Sequence, residues 1–142
     1  PMTRIDFHIL QSDQRQQMLE YTCRLTEKAT NQGHQVMIFT DGQETSATLD
    51  TLLWSHRPES FVPHSRSPND QAPVYITHEQ EPGNFHDVLL SLHGGEPPAF
   101  YSRFNRAIEI VSQQPTLLKQ SRKNYSFYKT RGYEIKTHKV NI

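Results

Sequence analysis

A single cysteine, Cys23, stands among 142 residues, which excludes a disulfide framework and any cysteine-rich zinc site. A lone thiol fits a reducing compartment. Net charge is missing too: 15 Lys+Arg balance 15 Asp+Glu, so the chain as a whole projects no field of one sign. No apolar run approaches the ~20 residues of a membrane span, and no basic-then-apolar segment marks a signal peptide. What the chain does have is enough bulk for a modest core. Leu, Ile, Val and Phe number 11, 8, 6 and 7, a share just above the roughly 20% below which strongly charged chains stay disordered. One domain over residues 2–142 is expected, with Pro1, ahead of Met2, read as an extraneous residue outside it.

The neutral total hides a segregation. Residues 1–116 hold 8 Lys+Arg against 14 Asp+Glu, whereas residues 117–142 hold 7 against 1. A basic C-terminal part either meets an acidic partner or is a solvated helix balanced across the fold by the acidic body, and composition leaves the two equal.

Hydrophobic patterning gives alternating strands and helices. Arg4 to Leu10 alternates Ile5, Phe7 and Ile9 with polar Asp6 and His8, as a strand does. Ser12 is a candidate N-cap for a helix carrying Met18, Thr22, Leu25 and Ala29 on one face, with Gly33 at its C-terminal stop. Val36 to Thr40 is apolar without alternation, the pattern of a strand covered on both faces in a parallel sheet. Glu44 to Trp54 supports a second helix ending before Pro58. Val74 to Thr77, Val88 to Leu92 and Ala107 to Val111 read as further strands, with loops over 65–73 and 78–86. Leu117 to about Lys129 reads as a helix stopped at Gly132, and Tyr133 to Val140 as an edge strand. The fold class is α/β: a single-domain, Rossmann-like, open and mainly parallel sheet flanked by helices.

The chemistry of that fold does not come with it. The first strand-to-helix turn is Leu10-Gln11-Ser12-Asp13, without the glycines that let backbone approach a pyrophosphate and with a carboxylate where phosphate would sit. No GxxxxGK[ST] loop occurs. His93-Gly94-Gly95 is the best remaining anion nest, though a flexible loop explains it more simply. Eight histidines include no HxxxH or HExxH pair, and no GxSxG motif frames a serine nucleophile. Cys23 reads as a small core residue, since nothing local would lower its pKa. No catalytic residue, cofactor site or metal site is expected.

Two stretches stand out instead. From Leu52 to His64, Trp54, Phe61 and Val62 lie in a segment containing Pro58 and Pro63. Prolines that stiffen such a segment would present aromatics rigidly, as an interface hot spot requires. Periodicity favours the plainer reading, that Trp54 and Phe61 close over the core. In the C-terminal helix, Leu118, Arg122, Tyr125 and Lys129 share a face at i, i+4, i+7 and i+11, with Tyr128, Arg131 and Tyr133 near its end. Such a face suits a carboxylate held by guanidinium beside an apolar side chain, or stacked single-stranded nucleic acid, or ordinary packing under solvated cations.

These residues resemble the chi-subunit family of bacterial DNA polymerase III holoenzyme, part of the clamp-loader assembly. The resemblance spans nearly the whole chain. It is carried by Leu49-Asp50-x-x-Leu53-Trp54, Pro58-Glu59-Ser60-Phe61-Val62-Pro63-His64, Ala72-Pro73-Val74, Asp87-Val88-Leu89-Leu90-Ser91-Leu92 and Arg122-x-x-Tyr125-x-x-Tyr128. It implies a Rossmann-like fold without nucleotide chemistry. It further implies a non-catalytic cytoplasmic adaptor at the replisome, joined to the clamp loader through the psi subunit and to the acidic C-terminal tail of single-stranded-DNA-binding protein, and meeting DNA only indirectly.

By the resemblance, Trp54, Pro58, Phe61, Val62 and Pro63 match the psi-binding segment, which reverses the periodicity reading of Trp54. Arg122 and Tyr125 match the tail-binding helix. One turn before Arg122 the family pattern calls for another cation. Here Leu118 stands in that place, the charge is displaced to Lys119, and Lys129 is positioned to compensate. The competing classes are an enzyme, for which no nucleophile with a base or metal cluster is seen, and a direct single-stranded nucleic-acid binder using the basic aromatic helix. A net acidic body of 116 residues counts against the second.

Overall fold

The computed structural model describes residues 2–55 and 62–141. Seven strands form one sheet in the order β3-β4-β2-β5-β6-β1-β7, every pairing parallel. In chain order the elements are β1 (Arg4–Leu10), α1 (Arg15–Asn31), β2 (Val36–Thr40), α2 (Gln43–Ser55), β3 (His64–Ser65), β4 (Val74–Thr77), β5 (Val88–Leu92), β6 (Arg106–Val111), α3 (Pro115–Thr130) and β7 (Ile135–Val140). A 3-10 turn, Tyr101–Arg103, precedes β6.

Strand patterning follows from which face each helix covers. β2 is buried at all five positions because Val36 and Ile38 pack under α1 and α2 while Met37 and Phe39 pack on the α3 side. In β5, Val88, Leu90 and Leu92 join the first core and Leu89 the second. Burial of each such side chain contributes about 1.5–3 kcal/mol. At the sheet edge the logic changes: β7 has only Ile135 and Val140 partly buried, and its four central residues are exposed. Its lysines, Lys136 and Lys139, discourage edge-to-edge pairing with another chain.

Most sequence expectations hold at the level of elements. Gly33 and Gly132 adopt positive φ of 87° and 85° just beyond the C-caps of α1 and α3, the conformation that a residue with a Cβ resists. Four details differ. Helix α3 begins at Pro115, two residues before the expected Leu117. Helix α1 begins at Arg15 with Gln14 as N-cap, and Ser12 instead accepts the Gln14 backbone N–H at 2.9 Å, bracing the turn before the helix. His64–Ser65 is a strand beside β4, two residues long and therefore without readable alternation. The last strand starts at Ile135, two residues later than expected, because Tyr133 still belongs to the helix exit, its N–H donating to the Tyr128 carbonyl. Cys23 is buried, and burial pushes its thiol up to about 12, in keeping with a core role.

Candidate functional site: an apolar cavity under α3 and an exposed tryptophan on α2

Helix α3 starts with Pro115 at its first turn, and the Gln114 side chain accepts the Leu117 N–H at 2.8 Å. Its first turn carries no acidic residue and its last turn carries Lys129, so the C-terminal carbonyl dipoles face a cation. Asn124 fastens the helix to the sheet. Its buried amide donates to the Gly95 carbonyl and to Glu109 Oε1, both at 2.8 Å. Burial pushes the Glu109 carboxyl up to about 7, against hydrogen bonds from Asn124 and Ser121 that favour the charged form. The His93-Gly94-Gly95 turn packs under the same helix: His93 stacks on Phe39, and a Cβ at Gly94 would come within 2.9 Å of Leu117 Cδ2. That turn serves to seat α3.

Beside this anchor lies a cavity of about 320 Å³. Phe7 and Ile9 of β1 and Val111 of β6 supply an apolar floor, and Leu118, Arg122 and Tyr125 of α3 form a wall facing Thr137 of β7. Tyr125 stands edge-on to Phe7, with centroids 5.6 Å apart, and remains 36% exposed. Arg122 is exposed and has no ion-pair partner among the described residues. The lining contains no carboxylate and no imidazole.

Of the residues read from the helical face, Leu118, Arg122 and Tyr125 meet at this cavity. Lys119 and Lys129 are exposed on the same helix but outside the lining. Leu118 makes the wall apolar where a cation was expected. Tyr128 does not open to solvent: it is buried among Phe7, Tyr101, Phe127 and Tyr133. Arg131 lies over the Phe127 ring at 3.6 Å. The sequence reading missed Phe7, Ile9, Val111 and Thr137 as site residues. The alternation in β1 put Phe7 and Ile9 on one face, but only strand order places that face beneath α3.

The second region is the end of α2. Leu49 and Leu53, four apart, turn inward and are buried, so Trp54, about 100° further round the helix, turns out. Trp54 is 63% exposed and meets the His64 ring edge-on at 5.6 Å. His64 is fixed by the Val62 carbonyl at 2.7 Å from Nδ1 and by Asp50 Oδ1 at 2.8 Å from Nε2. Val62 is buried in the core and Pro63 is exposed. Pro58 and Phe61 lie outside the described residues. The periodicity reading that Trp54 closes over the core is overturned, since its neighbour Leu53 takes the inward position. The two regions lie on opposite faces of the sheet and toward opposite edges, α2 over β4 and β3, α3 by β6 and β7.

A family model described as DNA polymerase III chi subunit, HolC, matches residues 2–136. The chain belongs to the DNA polymerase III chi-subunit family. Among its chi relatives, the DNA polymerase III subunit chi of Pseudomonas aeruginosa is 37% identical over 140 residues, covering 98% of both chains. The subunit chi of Escherichia coli K12 is 27% identical over 122 residues, covering 83% of this chain and 82% of the relative. A solved structure of S. cerevisiae Dbp5 bound to Nup159, Gle1, IP6 and ADP aligns with a TM-score of 0.65 at 10% identity, over 99% of this chain and 42% of that chain. At that identity the likeness extends to the fold. Membership in the chi family makes this a DNA polymerase III subunit of DNA replication. No helix among its described residues is long and apolar enough to cross a membrane.

Proposed function

We propose that this chi-family chain is a non-catalytic cytoplasmic adaptor that binds the psi subunit through the Trp54 region and the acidic C-terminal tail of single-stranded-DNA-binding protein through the α3 cavity. The cavity carries the reading. An apolar floor takes an aromatic side chain out of water, and the exposed Arg122 guanidinium at the rim, without an ion pair among the described residues, offers a forked donor to a terminal carboxylate. Tyr125 walls the aromatic side chain, while Lys119 and Lys129 attract the acidic residues upstream of it at longer range. A lining without carboxylate or imidazole suits binding rather than proton transfer.

On the α2 side, Trp54 is held out by Leu53 beneath it and His64 beside it, which cuts the entropy lost on docking. Pro58, Phe61, Val62 and Pro63 extend the proposed psi segment from Trp54, with the buried Val62 anchoring it to the core. Separation of the two regions on opposite faces supports an adaptor that holds both partners at once, and through psi reaches the clamp loader.

Titration calorimetry with an acidic peptide ending in Phe and a free carboxylate tests the α3 half. Binding that weakens with salt and falls at least about tenfold in Arg122→Ala is expected, the size of one lost charge-assisted hydrogen bond. Absence of binding at low salt overturns the tail site. Tight, salt-steep binding of single-stranded DNA by the chain in place of the peptide would instead make the basic helix a direct nucleic-acid surface.

A further inference from the structure

On the face of the sheet opposite the α3 cavity, β1 and β7 bring three ligating side chains together. Their parallel register sets His8 directly beside His138, with ring centroids 5.0 Å apart, and Asp6 two residues earlier on the same face as His8. One ligand atom from each of Asp6, His8 and His138 lies within 4.8 Å of the other two. Asp6 is 1% exposed and His8 is 8% exposed, yet Asp6 Oδ1 and His8 Nε2 have no hydrogen-bond partner among the described residues. Buried polar atoms left without a partner are costly to the fold.

The remaining atoms of the two buried groups are already committed. Arg106 donates from Nε and its terminal nitrogen to Asp6 Oδ2, which leaves Oδ1 turned away from that pair. Tyr21 Oη sits 2.5 Å from His8 Nδ1. The tautomer suited to a ligand is the one whose Nδ1–H donates to that oxygen, leaving the lone pair of the ring on Nε2. Ligands whose second atoms are hydrogen-bonded in this way are the outer-shell arrangement of protein metal sites.

We propose that Asp6, His8 and His138 form a three-ligand site for a divalent transition-metal ion of the zinc type. Two imidazoles and one carboxylate select zinc, cobalt or nickel over magnesium or calcium, which prefer oxygen donors throughout. His138 is exposed and turns in from the edge strand to close the triangle. His8 and His138 also line a cavity of about 360 Å³ walled by Tyr21, Lys28 and Arg106, from which a water or a donor from a partner would complete the coordination. Bound metal would cross-link β1 to β7 and so stiffen the sheet edge beneath α3.

The test is titration of the untagged, metal-free full chain with zinc chloride, and with cobalt chloride read by its visible ligand-field absorption. One ion per chain is expected, with a thermal midpoint that rises with zinc concentration. His138→Ala, a change at an exposed position that leaves the fold intact by circular dichroism, is expected to weaken binding at least tenfold. His34→Ala, whose ring lines the same cavity without joining the triangle, is expected to bind as wild type. Absence of saturable binding overturns the site. So does equal affinity in His138→Ala, or loss of binding in His34→Ala.

Discussion

The α2 end and the α3 cavity differ as convex differs from concave. Trp54 projects from a helix terminus, and on the reading proposed above its bulk enters a pocket that the partner brings. The α3 site is itself the pocket, built from three strands and a helix, with one guanidinium at its lip. A projecting aromatic derives its affinity from apolar area and is nearly indifferent to salt, whereas a cationic rim derives much of its selectivity from charge and is screened. On the reading proposed above, one small domain would carry two contacts that respond to different conditions.

The most severe way to break the comparison is to remove what lies under Trp54. Leu53→Ala deletes a buried side chain and is expected to cost about 2–5 kcal/mol of stability in urea unfolding, with the local packing of α2 lost before that of α3. Next is the anchor of α3. Glu109 goes from the ordinary 4.5 to about 7 in the folded chain, so the native state keeps a proton that the unfolded chain releases between those values. Its contribution is full below pH 4.5 and is lost as the pH rises through about 7, a change of roughly 3 kcal/mol. Glu109→Gln is expected to remove that slope from the stability-versus-pH curve, and an unchanged slope would assign the titration to another group.

Trp54→Ala is expected to weaken psi association by about 2 kcal/mol or more, the scale of an interface hot spot, while tail-peptide affinity stays at the wild-type value. Loss of both together would show that the two regions are coupled rather than separate. The smallest effect is expected at Lys129→Ala: less than about 1 kcal/mol in tail-peptide binding, and a shallower salt dependence, since an exposed cation outside the cavity acts through a screened field.

Legibility divides along the same line. The outward turn of Trp54 is a local matter, decided by the inward positions of Leu49 and Leu53 four residues apart, and it needed only the correct choice of inner stripe. The wall of the α3 cavity was readable for the same reason, because Leu118, Arg122 and Tyr125 repeat at helical spacing. Its floor was not readable, since Phe7, Ile9 and Thr137 meet through the order β6-β1-β7, which hydrophobic periodicity does not encode. Tyr128 was misplaced by a similar limit: its direction is set by Tyr101 and Tyr133, contacts from outside the helix. The unbroken apolar run of β2, by contrast, announced a strand covered on both faces, and the structure covers it on both faces.

The pairing of β1 with β7 joins the first strand of this sheet in chain order to the last. Until α3 and β7 have left the ribosome, a nascent chain holds Phe7 and Ile9 with no wall above them and no edge strand beside them, although α2 with Trp54 is already present. The surface proposed for psi can therefore mature during translation. The α3 cavity is complete only once the residues through Thr137 have been made, so on the proposed reading a chain cut short before them would keep the surface for one partner and lack the pocket for the other.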